Sequence, residues 1–217
     1  MSSQTSSLAA EEGQRRVYLR SECVVVYKTK ELYGELSNMA GGFPLVIDGV
    51  RIATTEALYQ ASRFPHLPQA QREIIGQHSP MTAKMKSKPY RSNTRPDWDS
   101  VRFKIMRWCL RVKLAQHYEE FGRILRSTKD RQIVEQSRKD DYWGAKLQQD
   151  DETLIGQNVL GRLLMELRER LSLDIDGQLR TVEPLGVPDF QLLGKPIGTV
   201  TARGVAVPPK PQDDFFA

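Results

Sequence analysis

A chain of 217 residues with a formal net charge of +5 is long enough for one sizeable hydrophobic core and short of what two ordinary domains need. No apolar run approaches the roughly 20 residues that cross a bilayer, and residues 1–14 lack the apolar middle of a secretion signal, which argues against a membrane span and for a cytoplasmic protein. Cys23 and Cys109 form no Cys-x-x-Cys pair, and His66, His78 and His117 show no metal-ligand spacing. No disulfide framework or zinc site is therefore expected, and hydrolytic chemistry is left to side-chain acids and bases.

In chain order, residues 1–15 are polar and expected to be disordered. Val17–Arg20 and Cys23–Tyr27 read as strands broken at Ser21-Glu22, and Tyr33–Asn38 as a turn-rich segment whose Ser37 and Asn38 can reach into a site. Phe43–Ile47 and Val50–Ile52, joined by Asp48-Gly49, carry the strongest hairpin signal. The hairpin delivers the chain to Thr54-Thr55-Glu56. A threonine cap there would set Glu56 in the first turn of a short helix, near the positive end of its dipole, with Tyr59, Gln60 and Arg63 on the same face.

Two amphipathic helices are expected next, over Gln69–Gln77 and from Ser79-Pro80, the second carrying Lys84. Asp97–His117 is expected to be the longest helix, because Trp98, Val101, Ile105, Trp108, Val112 and Ala115 form one stripe at alternating spacings of three and four. A shorter helix over Glu119–Ser127 leads to Ile133-Val134-Glu135, an edge strand or an irregular bridge. In Asp140-Asp141-Tyr142-Trp143-Gly144, two acids beside an aromatic pair and a glycine suit a sugar or base site. Asn158 caps a last helix, Val159–Leu171, whose Leu160, Leu163, Leu164, Leu167 and Leu171 face the core. Residues 173–217 form a Gly/Pro-rich extension, partly draped over the domain and frayed after about Val207.

Charge is unevenly spread. From Lys84 to Arg131 there are 14 Lys or Arg against 5 Asp or Glu, a local +9 that leaves −4 for the rest of the +5 total. A basic patch of this kind suits nucleic acid or a dinucleotide; a solvated helix face has the same composition.

Several stretches in fixed order resemble the NADAR, or YbiA-like, family: Tyr33–Asn38, Glu56-x-x-Tyr59-Gln60-Ala61, Ala83-Lys84, Asp97-Trp98, Lys113–Gln116, Asp140-x-x-Trp143-Gly144, and Asn158-x-Leu160-Gly161 with Leu164, Met165 and Arg168. They cover roughly residues 16–171, with a longer acidic insert at Gln148–Glu152 than many relatives carry. The resemblance implies an α+β fold, a single mainly helical domain over residues 16–172 with a few N-terminal antiparallel strands. It also implies an enzyme that cleaves N-glycosidic bonds without a metal, with no cofactor expected. Some members act on ribosylated intermediates of riboflavin synthesis, and others remove ADP-ribose from guanine bases modified by DarT-type toxins.

Cleaving a bond between an anomeric carbon and nitrogen passes through an oxocarbenium-like state, so a site needs a carboxylate near the developing charge and an acid for the leaving nitrogen. Glu56 is assigned to activate water or shuttle the proton, and Asp140 to orient the ribose and stabilise its cationic state. Lys84 has three open roles: holding a phosphate, stabilising the departing base, or attacking an opened ribose as a Schiff base. Tyr59, Gln60, Tyr142, Trp143 and Gly144 would line the substrate site, with hydrogen bonds from Ser37, Asn38 and Asn158. Bland roles stand beside these: Asp140 as an arginine partner, Lys84 as a solvated lysine, Asn158 as a simple cap. The leading expectation is an ADP-ribosyl glycohydrolase acting on guanine in DNA through its basic face, a monomer with a DarT-type toxin as a possible counterpart. A riboflavin-pathway N-glycosidase and a non-catalytic ADP-ribose-binding module are the alternatives.

Overall fold

The computed structural model describes residues 14–202. Most of the N-terminal segment expected to be disordered, and the point where the tail was expected to fray, lie outside the described residues. In chain order the elements are β1 (Arg16–Leu19), β2 (Val24–Val26), β3 (Leu45–Ile47), β4 (Val50–Ile52), α1 (Thr55–Ala61), α2 (Pro68–Ile75), α3 (Pro80–Ser87), α4 (Trp98–Gln116) and α5 (Tyr118–Ser127). Then follow β5 (Ile133–Glu135), β6 (Lys146–Leu147), β7 (Thr153–Gly156), α6 (Val159–Ser172), β8 (Thr181–Val182), β9 (Gln191–Leu192), β10 (Lys195–Pro196) and β11 (Val200–Thr201).

The fold is α+β and mainly helical, built around α4. All six residues of its apolar stripe are buried, as are the five leucines of α6 that pack against it. A large core results, because each amphipathic helix has a single face to hide and α4 offers faces to α1, α5 and α6 at once; Tyr18, Val134, Ala145 and Leu154 form a second, smaller cluster. Pro80 opens α3 at the first helical position with Ser79 as its cap, the Ser79 oxygen accepting from Thr82 N at 3.4 Å. α2 likewise opens on Pro68 itself, one residue earlier than its apolar pattern suggests. Asp97 does not cap α4; both its carboxylate oxygens are taken by Arg95, at 2.5 and 2.9 Å.

The strands are not confined to the N-terminal part and not all are antiparallel. β3 and β4 form the expected hairpin, with Asp48 (φ 46°) and Gly49 (φ 81°) both left-handed as a type I′ turn requires. β1 pairs with β7, and β7 with β6, so the acidic stretch Gln148–Glu152 closes a hairpin at a sheet edge away from the pocket described below. β2 and β5 run parallel, Val24 to Val26 against Ile133 to Glu135. More than a hundred residues separate the partners, too far for turn chemistry to announce the pairing.

Residues 173–202 lie along the outer side of α4 through β8 and β11. Trp108 Nε1 donates to Glu183 O at 2.9 Å, and the Trp108 and Phe190 rings meet edge-on at 4.9 Å. Gln71 adds two backbone contacts, donating to Gln191 O at 3.0 Å and accepting from Leu193 N at 2.6 Å.

Candidate active site

α1 buries one carboxylate among core side chains. Thr54 has extended backbone, and its hydroxyl accepts from Ala57 N at 3.2 Å, so the helix starts one residue before Glu56. Every residue of α1 is buried, and Glu56 is only 2% exposed. Asn38 Nδ2 donates to Glu56 Oε2, and Gln60 Nε2 donates to Oε1 at 2.9 Å. Gln60 is oriented in turn by Ser87, whose hydroxyl donates to Gln60 Oε1 at 3.0 Å. Burial pushes the Glu56 carboxyl up to about 6, against the opposing pull of the Lys84 charge, the Gln60 hydrogen bond, Arg63 and Asn38. A carboxylate poised near neutrality and held at both oxygens is suited to taking a proton from water.

Glu56 opens onto a cavity of ≈ 410 Å³, in the range of small-molecule sites. Asn38, Tyr59, Gln60, Lys84, Asp140, Trp143 and Gly144 line it with Glu56, so most of the residues singled out in the sequence converge there. One wall is aromatic: Tyr59 lies 5.1 Å from Trp98 and 5.5 Å, edge-on, from Trp143. A planar ring fits such a wall. The opposite chemistry is cationic, with Arg63, Arg91 and Arg102 joining Lys84. Arg63 stacks over Trp98 at 4.8 Å and Arg102 over Tyr142 at 3.8 Å, which fixes both guanidinium planes. The Nε of each is buried without a hydrogen-bond partner. Trp98 thus belongs to the core stripe and to the cavity wall together.

Three of the singled-out residues stand outside that lining. Ser37 is buried behind the wall, its hydroxyl donating to Glu135 Oε1 at 3.4 Å. Tyr142 lies beneath Arg102 and meets Trp143 edge-on at 5.0 Å. Asn158 has no solvent exposure and sits at a left-handed φ of 51°. Its side chain does not cap α6: Oδ1 accepts from Glu135 N at 3.0 Å and Nδ2 donates to Ile133 O at 2.8 Å. It therefore ties the start of α6 to β5.

Asp140 shapes its own loop. Its Oδ1 accepts from Tyr142 N at 3.0 Å and Trp143 N at 2.9 Å, while its backbone N–H donates to Ser137 Oγ at 3.0 Å. Those bonds shape the loop that carries Trp143 against Tyr59, and Asp140 itself lines the cavity. Gly144 follows where the loop crosses β5 so closely that a Cβ would stand 2.3 Å from Glu135 O.

Neither Glu135 nor Lys113 is given a functional role by the sequence alone, although Lys113 opens one of the stretches that resemble the family. Glu135 ends β5 two residues after buried Ile133, so strand periodicity places both on one face. Burial is the main cause that lifts its carboxyl to about 8, Ser37 opposing and the charges of Asp140 and Glu56 adding to the rise. Lys113 is wholly buried in α4, 4.5 Å from the Phe43 ring centre and 4.3 Å from that of Phe121. Burial lowers its ammonium to about 7. Among the described residues, no group of three or more His, Cys, Asp or Glu is placed to hold a metal ion, and no helix is long and apolar enough to cross a membrane.

Comparison with known proteins agrees with this geometry. Residues 25–172 match the family model described as the NADAR domain. N-glycosidase YbiA of Escherichia coli (strain K12) is 37% identical over 167 residues, covering 74% of this chain and 96% of that protein. An N-glycosidase of Nostoc punctiforme is 32% identical over 152 residues, covering 68% of this chain and 92% of its own. A protein of Vibrio vulnificus named as a riboflavin biosynthesis protein is 29% identical over 158 residues, 72% of this chain and 40% of that protein. The NMR structure of Escherichia coli YbiA superposes with a TM-score of 0.58 at 33% identity, covering 72% of this chain and 92% of that one. With a family match over most of its length and relatives that share its fold, this chain belongs to the NADAR domain family.

Proposed function

We propose that this chain is an N-glycosidase that releases ADP-ribose from guanine bases in DNA, so reversing DarT-type modification in the manner of an antitoxin. Support for the bond type comes from Glu56, a buried carboxylate facing a cavity with an aromatic wall, and from the relatives named N-glycosidase. The observation that carries the substrate is the set of four cations, Arg63, Lys84, Arg91 and Arg102, on one small cavity. A single phosphate monoester needs fewer than a diphosphate carried, through ribose, on a base of a nucleic acid. In this reading Glu56 takes a proton from the attacking water, Asp140 steadies the cationic ribose, and the guanine lies against the aromatic wall that Tyr59 and Trp143 form. Lys84 lines the same cavity and its charge favours the ionised form of Glu56.

A second reading, cleavage of a ribosylated intermediate of riboflavin synthesis, is favoured by the relative of that name in Vibrio vulnificus. The deciding experiment measures ADP-ribose release from a guanine-ADP-ribosylated single-stranded oligonucleotide, with Glu56→Gln and Lys84→Ala beside the native protein. Release by native protein alone upholds the first reading. An untouched oligonucleotide with turnover of the riboflavin-pathway intermediates transfers the assignment to the second.

A further inference from the structure

We propose that Glu135 is a second catalytic carboxyl of this site, the acid that protonates the leaving nitrogen, a step that rests on the N-glycosidase reading but not on which base departs. Glu135 is at the cavity wall together with Glu56 and Asp140. Its two oxygens are not equivalent. Oε1 accepts from Ser37 Oγ, while Oε2 is buried and has no hydrogen-bond partner. An ionised carboxylate would leave a charged oxygen there without a donor, whereas a protonated one presents a hydroxyl awaiting an acceptor. The leaving nitrogen supplies that acceptor.

The surroundings hold Glu135 in its acid form. The charges of Asp140, from the loop after β5, and Glu56, from α1, favour that form; Lys113 in α4 opposes it, and Arg63, Lys84, Arg91 and Arg102 line the same cavity. Burial keeps Lys113 from holding its proton firmly, so its opposition is weak. The backbone of Glu135 is fixed on three sides: β2 pairs with it, Asn158 Oδ1 accepts from its N–H, and its carbonyl receives Ala145 N at 2.8 Å. A positioned acid therefore stands beside a separately anchored base, with their environments set apart as acid–base chemistry requires.

The step balances as hydrolysis. Water attacks the anomeric carbon and gives a proton to the Glu56 carboxylate; the carbon–nitrogen bond breaks with its electron pair going to nitrogen; the Glu135 carboxyl donates its proton to that nitrogen. The products are a ribose hydroxyl and a base N–H, and proton transfer through solvent from Glu56 to Glu135 restores the enzyme.

The test compares native protein with Glu135→Gln, whose amide matches the shape of the neutral acid, and with Glu135→Asp. On the modified oligonucleotide, Glu135→Gln should lose roughly 10²-fold in kcat at neutral pH, with unchanged ADP-ribose affinity and unchanged Tm. The alkaline fall of the native rate profile should vanish with it, and Glu135→Asp should recover part of the rate. A Glu135→Gln rate within about threefold of native, or a lost rate with the alkaline limb intact, would overturn the assignment. Infrared difference spectra give an answer that does not depend on substrate: native protein at neutral pH should show the carbonyl stretch of a protonated carboxyl that Glu135→Gln lacks. Absence of that band sinks the acid. Its presence beside an inert oligonucleotide sinks only the substrate reading, and the rate comparison then passes to the riboflavin-pathway intermediate.

Discussion

Lys113 Nζ donates to the carbonyl oxygens of Glu35, at 2.6 Å, and Ser37, at 3.3 Å, from a position with no solvent exposure. A buried amine thus props up the short turn whose next two side chains hold the carboxyls of the site, Ser37 on Glu135 and Asn38 on Glu56. The arrangement has a measurable signature in pH. The native ammonium is lowered from 10.5 to about 7, so between pH 7 and 10 the unfolded chain holds a proton that the native protein has released. Stability from this group therefore rises with pH across that window and is flat below it, by about 2 kcal/mol between pH 7 and 9. Urea unfolding of native protein and Lys113→Met at those two pH values checks it: the difference between them should grow in favour of the native protein as pH rises. An unchanged difference would place the ammonium in a solvated environment.

Glu56 should set the acid limb of the rate profile. It acts as a base only when ionised, and burial holds it at about 6 in the free protein, so kcat/KM should rise as pH passes through that value. Glu56→Gln should lower kcat by roughly 10²-fold or more with little change in KM. Asn38→Ala removes a donor that favours the ionised form, so the acid limb should move to higher pH while the alkaline limb stays. Rate profiles of the three proteins decide this, and an acid limb indifferent to Asn38 would assign it to another carboxyl.

The contrast between Glu56 and Glu135 shows what the chain makes legible. Glu56 is announced by local grammar: a hairpin with Asp48-Gly49, a threonine cap, then an acid in the first turn. The α4 and α6 stripes are equally local, because a helix face is written at spacings of three and four. Glu135 and Lys113 acquire their character from what crosses them, the Ser37 turn and the Gly144 loop, and most of those contacts span tens of residues in sequence. Composition also blurs the basic third. Lys113 is in the core, Arg95 is spent on Asp97 and Pro188 O, and Arg107 pairs with Glu166 at 3.0 Å, so the excess charge is divided among several places. Asn158 looks like a cap because helix starts favour asparagine; its side chain serves β5 instead, from a left-handed backbone.

Gly144→Ala should damage the site through packing. The added Cβ would meet Glu135 O at 2.3 Å and Glu135 C at 3.2 Å, both backbone atoms of a paired strand that cannot step aside. Either β5 or the Asp140–Trp143 loop must shift, at a cost of about 1–3 kcal/mol. For a protein of this size that is a fall in Tm of several degrees, on the order of 2–4 °C per kcal/mol. Calorimetry beside kinetics separates the consequences: a stable Gly144→Ala with normal turnover would mean the crossing is looser than the structure has it.

The cations of the cavity should be distinguishable from the rest of the basic third by substrate affinity. Arg102 is stacked on Tyr142 and Arg63 on Trp98, and both line the cavity, so both guanidinium groups are positioned there before any ligand arrives. Arg111 lies on the same helix as Arg102 but lines a separate cleft with Arg170 and Asp174. Arg63→Ala and Arg102→Ala should each raise KM roughly tenfold or more for a diphosphate-bearing substrate, since hydrogen bonds to a charged partner contribute about 1.5–3 kcal/mol. Arg111→Ala should leave KM alone. Repeating the measurement across salt concentrations adds an independent reading: each phosphate that a variant no longer neutralises should reduce the steepness of the salt dependence by about one unit in the log–log slope, as for any cation that displaces counterions from a nucleic-acid backbone. If Arg111→Ala weakens binding as much as Arg102→Ala, the substrate tracks the outer surface of α4 and not the cavity.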